Sequence, residues 1–182
     1  MPSIIVILLI FALSVHVFPI GISLNAKKYP VITIIGVLIV SALQTLMLWL
    51  GLKLAGTFLY LLEGWDKGIL FTGFFLIAVR MFMESFKIIN SIRAYRLDQI
   101  KWILLTGIVQ GTDAFLTGIL FFYLPEVNIA KSLSSLFILS VLLLLPSVLS
   151  KPSANFWRLG AFLYVAGAFT FAFSSIYFMI TL

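Results

Sequence analysis

Apolar residues run along the chain in six long stretches, at about residues 3–24, 31–50, 68–89, 100–123, 128–149 and 156–181, with short polar breaks between them. Each is long enough for one transmembrane helix, since ~20 residues at ~1.5 Å rise cross a ~30 Å hydrocarbon core. The second pattern continues as far as Trp65, but Lys53 and Glu63 interrupt it, which predicts a helix that leaves the core near residue 50 and runs on along the interface. The breaks at 25–30, 64–67, 124–128 and 150–155 hold Asn, Gly and Pro, including Pro152. None has room for a soluble domain, so residues 1–182 read as a single transmembrane domain. The first stretch lacks the charged leader and small-residue cleavage site of a signal peptide and reads as a mature helix. The predicted fold class is therefore all-α, a polytopic membrane protein with six transmembrane helices.

Composition strengthens this reading: 63% hydrophobic and 10% charged residues leave too little polar surface to cover a soluble domain. The lipid bilayer is the expected surrounding. The absence of cysteine excludes a disulfide framework, a thiolate metal cluster and a cysteine nucleophile. The net charge of +6 falls in short connections and forms no continuous stripe, so no nucleic-acid partner is expected. Lys27, Lys28, Lys87, Arg93, Arg96, Lys101, Lys151 and Arg158 lie around the connections after spans one, three and five, against Lys53, Lys67 and Lys131 on the other side. The bias of positive charge toward the cytoplasm then sets both termini outside the cell.

Three spans per half would make any internal duplication inverted in the membrane. One short repeat is visible. His16-Val-Phe18-Pro19-Ile-Gly21-Ile22 in span one aligns with Asp113-Ala-Phe115-Leu116-Thr-Gly118-Ile119 in span four, at an offset of 97 residues. Two inverted three-helix repeats, about 1–92 and 98–182, are expected, and a twofold axis in the membrane plane would bring His16 and Asp113 to a shared cavity.

Ionisable groups inside spans cost at least ~2.5 kcal/mol each without a partner, so they mark where chemistry should be sought. Asp113 is flanked by Gln110, Gly111, Thr112 and Thr117, and small residues at 107, 111 and 118 allow close helix approach. It reads either as a cation ligand or as one end of a structural ion pair. Arg80 and Glu84 are spaced to share one helix face, as a pair that rearranges during transport or one that only neutralises itself. His16 precedes Pro19, whose missing N–H frees the carbonyl of Val15, giving an imidazole and a bare oxygen at one depth. Its plainer reading is a hydrogen bond across a helix interface. Gln44 is an auxiliary oxygen donor or packing glue, and Ser14, Thr112 and Thr117 are expected to bond their own backbone.

These residues together give the chain a family likeness. Ser14-Val-His16-Val-Phe18, Arg80-Met-Phe-Met-Glu84-Ser-Phe86, Asp113-Ala114 and Val127-Asn-Ile129 make it similar to the manganese efflux pump family (MntP-like) of the LysE-type exporter superfamily, over nearly its whole length. The resemblance implies an inner (plasma) membrane exporter of divalent metal cations, with Asp113, His16, Gln44 and Glu84 as the metal-contacting set. Two departures bear on the cargo: His16 and Gln44 stand where the family has acids. A hard divalent ion prefers several negative oxygen donors, whereas imidazole suits softer metals.

The expected function is a secondary exporter of a small divalent cation, working by alternating access, with no resident cofactor. The alternative is a non-transporting scaffold or regulatory subunit derived from such an exporter. An enzyme is not expected, since the chain has no His-Glu-x-x-His, no Gly-x-Ser-x-Gly and no phosphate-binding Gly-rich loop, and the last absence also argues against ATP as its fuel. The pattern leaves oligomeric state open.

Overall fold

The computed structural model describes residues 2–24, 30–58, 64–89, 97, 99–124, 127–149 and 154–181, and among these every regular element is helical. Lys27, Lys28, Arg93, Arg96, Lys151 and Pro152, on which orientation and two of the breaks rest, lie outside the described residues.

The first span is α1 (Pro2–Ser14), a 3₁₀ turn (Val15–Val17) and α2 (Phe18–Ser23). The remaining helices are α3 (Pro30–Phe58), α4 (Asp66–Ile89), α5 (Ile100–Phe121), α6 (Ile129–Leu149) and α7 (Ala154–Thr181). Their ends follow local chemistry. Proline opens α3 at a position that needs no N–H donor. Gly64 takes φ 92° just before α4, which carries Asp66 in its first turn and Lys87 in its last, matching the helix dipole. Asn128 caps α6, its Oδ1 accepting the Lys131 N–H at 3.0 Å.

The helix of span two runs on past residue 50, as expected, and is continuous through Lys53 to Phe58, ~43 Å long at ~1.5 Å per residue. Lys53 causes no break because it lies on the exposed side, its ammonium 5.9 Å from the Trp49 ring.

The surface is apolar. Phe162, Phe169, Phe173, Ile176 and Ile180 of α7 are all exposed, while Ser14, His16, Gln44, Asp113 and Ser140 are buried. Among the described residues five helices are long and apolar enough to cross a membrane, and α6 adds a shorter apolar stretch, Ile129–Leu145. The chain is an all-helical membrane protein.

Its most extensive contacts are α3 on α5 and α4 on α7; α3 also meets α6, α4 meets α5, and the first span lies on α6 and α7. Among the described residues, every principal contact between spans joins one of the first three to one of the last three. Phe74 of α4 packs between Phe171 and Phe178 of α7, with ring centroids 5.9 and 5.8 Å away. The α3–α5 crossing works differently. A Cβ on Gly118 would fall on the Leu48 carbonyl oxygen and one on Gly51 on the Phe115 carbonyl oxygen, so the two backbones touch there. Gly107 and Gly111 receive Leu43 and Met47 on the same face.

Candidate functional site

The break in span one has a local cause. Pro19 offers no N–H to the Val15 carbonyl, and the turn tightens so that Phe18 donates to it instead. The Val15 oxygen expected to be bare is therefore occupied. Two neighbouring carbonyls carry the extra bonds: Leu13 accepts from Gln44 Nε2 at 2.7 Å, and His16 accepts from the Tyr164 hydroxyl at 3.0 Å.

The break holds the His16 side chain against α5. Its Nε2 lies 2.8 Å from Asp113 Oδ2, with both side chains 2% exposed. On the other carboxylate oxygen, Arg80 Nη1 donates to Oδ1 at 2.5 Å and to Thr112 Oγ1 at 2.7 Å. A buried carboxylate is tolerated when a paired cation and further hydrogen bonds replace its water. Arg80 supplies the paired cation from α4, with its own side chain 36% exposed.

His16 Nδ1 is 3.1 Å from the Leu13 carbonyl, which can only accept, so Nδ1 carries a hydrogen. The Nε2–Oδ2 contact lies off the line of a well-formed N–H···O bond, yet it is too close for two facing lone pairs. Arg80, Asp113 and His16 thus form a triad, with the carboxylate between a guanidinium and an imidazole.

A second buried chain of bonds runs next to the triad. Ser140 of α6 donates to Gln44 Oε1 at 2.7 Å, so both ends of the Gln44 amide are engaged. The Tyr164 ring meets the His16 imidazole edge-on, centroids 5.2 Å apart. Tyr164 and Ser140 were absent from the sequence candidates. Their signal was a polar group within an apolar span, as it was for Gln44.

The expectations for the other residues divide. Ser14, Thr112 and Thr117 bond the carbonyls of Phe11, Val109 and Asp113, as expected, and Thr112 also accepts from Arg80. Arg80 and Glu84 find different partners from the ones their spacing suggested: Arg80 crosses to Asp113, and Glu84 accepts from Lys87 at 3.3 Å. Among the described residues no third His, Asp or Glu joins His16 and Asp113 in a group able to hold a metal ion, so Glu84 stands apart from the expected ligand set. Pro19 and Gly21 lie in α2, just past the break.

No family model, curated protein or solved structure matches the chain.

Proposed function

We propose that this chain is a secondary transporter that exports a small cation by alternating access between two inverted three-helix halves, with Arg80, Asp113 and His16 as its coupling site. The observation that carries the reading is the buried Asp113 carboxylate, held between the Arg80 guanidinium and the His16 imidazole beside a helix break. Intramembrane carboxylate–histidine pairs of this kind are characteristic of proton relays and ion pathways.

The inverted arrangement draws support from the helix pairing. Exchanging spans one, two and three for four, five and six turns the α3–α5 contact into that of span one with α6. The same exchange leaves α4 on α7 and α3 on α6 unchanged. His16 and Asp113, 97 residues apart, meet each other, as equivalent positions beside a twofold axis would.

While Arg80 is bound, Asp113 offers an arriving cation no net negative charge. Cargo must therefore displace Arg80 from Oδ1. Export then proceeds as an exchange in which Arg80 leaves the carboxylate as cargo binds and returns to it after release to oppose back-flow. Following the resemblance, the cargo is a divalent metal cation of the manganese type. Asp113 is its anionic ligand, and His16 and Gln44 become neutral donors once their present partners let go. The location proposed is the inner (plasma) membrane, with extracytoplasmic termini.

The test is manganese flux in proteoliposomes, with manganese content measured in cells carrying or lacking the gene. Asp113→Asn should reduce flux to background, and normal flux in that variant would refute the site. A second reading, a non-transporting scaffold or regulatory subunit, is favoured by one observation: the Asp113 carboxylate and the Gln44 amide already have protein partners at both ends. On that reading the wild-type protein moves no cation and cell manganese stays the same without it.

A further inference from the structure

A cleft away from the triad opens between the first span and α6, with a volume of about 210 Å³. Its polar end is formed by Asn128, Lys131, Ser132 and Ser135 of α6. It continues into a furrow of about 290 Å³ that keeps Lys131 and Ser135 at its rim and is otherwise lined by Ile7, Ile10, Ile138 and Leu139. Ile138 lies seven residues beyond Lys131, hence ~10 Å further along the helix axis. Ile7 and Ile138 are more than half exposed, so the furrow opens sideways onto the surface that faces lipid.

The hydroxyls at the polar end behave unusually. Serines and threonines within apolar helices commonly donate to their own backbone, as Ser134 does to the Lys131 carbonyl at 3.1 Å and Ser174 to Thr170 at 2.8 Å. Ser132 is 2% exposed and lines the cleft, yet among the described residues its hydroxyl has no hydrogen-bond partner. The Ser135 hydroxyl also has none, and Lys131 makes no ion pair among the described residues. Two unused donors and a cation thus surround the capped N-terminus of α6, where the dipole also favours negative charge.

From this combination we infer that the cleft is a site for an anionic phospholipid. The phosphate is held by Lys131, Ser132 and Ser135, and one acyl chain lies in the furrow. Charge complementarity selects the headgroup, and the apolar continuation selects a lipid over free phosphate. The site is independent of the transport proposal, because none of its residues touches the triad.

The test uses the full-length protein in detergent, titrated separately with phosphatidylglycerol, phosphatidylcholine and inorganic phosphate, with the thermal midpoint as readout. Phosphatidylglycerol should raise the midpoint. Lys131→Gln, a change at an exposed position, should keep the lipid-free midpoint and need about fivefold more phosphatidylglycerol for the same rise. Ser132→Ala with Ser135→Ala should weaken the response in the same direction. An equal response to phosphatidylcholine, an equal response to phosphate alone, or an unchanged titration in Lys131→Gln would each overturn the proposal.

Discussion

The first and fourth spans carry the same short pattern around Phe, Gly and Ile and meet at His16 and Asp113, yet one is broken and the other is continuous. Where span one has Pro19, span four has Leu116. The broken span presents backbone carbonyls as acceptors and so gathers Gln44 and Tyr164 around His16. The continuous span has its carbonyls committed to its own ladder and is clamped backbone to backbone on α3 through Gly118. The carboxylate therefore sits on the continuous helix and the imidazole on the broken one. On the transporter reading this division matters, because cargo release there requires one partner to stay while the other moves.

The comparison can be broken most severely at the clamp. Gly118→Val would drive side-chain atoms into the Leu48 carbonyl, which cannot yield as a side chain can, so folded protein should be lost; this is read as a monodisperse peak in size-exclusion chromatography. A persistent peak with an unchanged melting point would mean the helices separate there at little cost. Next in size is making span one acidic like span four: His16→Asp with Gln44→Glu adds two negative charges. Manganese binding to the purified protein should tighten about tenfold or more, and no gain would remove the cargo from this place.

Pro19→Leu gives span one the residue of span four. A continuous first helix should withdraw its extra acceptors and slow export about tenfold with little change in helix content by circular dichroism. Unaltered flux would show that the break has no part in the cycle. The smallest effect belongs to Tyr164→Phe, which deletes one hydroxyl bond to the His16 carbonyl. A loss of about 1 kcal/mol in stability is expected from thermal melts, with flux largely kept. A loss of all export would promote Tyr164 from support to participant.

Much of the fold could be read from the chain because span length is set by bilayer thickness. The helix ends fall close to the predicted stretches, span two excepted. The glycines at 107, 111 and 118 do admit a neighbouring helix, and His16 and Asp113 lie in contact. The partner of Arg80 could not be read. Spacing along a helix identifies neighbours such as Glu84, while the choice between that neighbour and a carboxylate on another helix depends on how α4 is rotated against α5. Lys53 interrupts the hydropathy pattern without ending the helix, because it lies on the exposed side.

The sequence by itself determined that this chain lives in lipid, where its spans lie, and that a carboxylate and a histidine are buried among them, because burying backbone and charge in hydrocarbon permits few arrangements. Tertiary structure alone decided the occupants of each buried polar atom: Arg80 on Asp113, Leu13 and Ser140 on Gln44, Tyr164 on the His16 carbonyl. Each of those bonds spans two helices, and only their packed rotation and depth bring donor to acceptor.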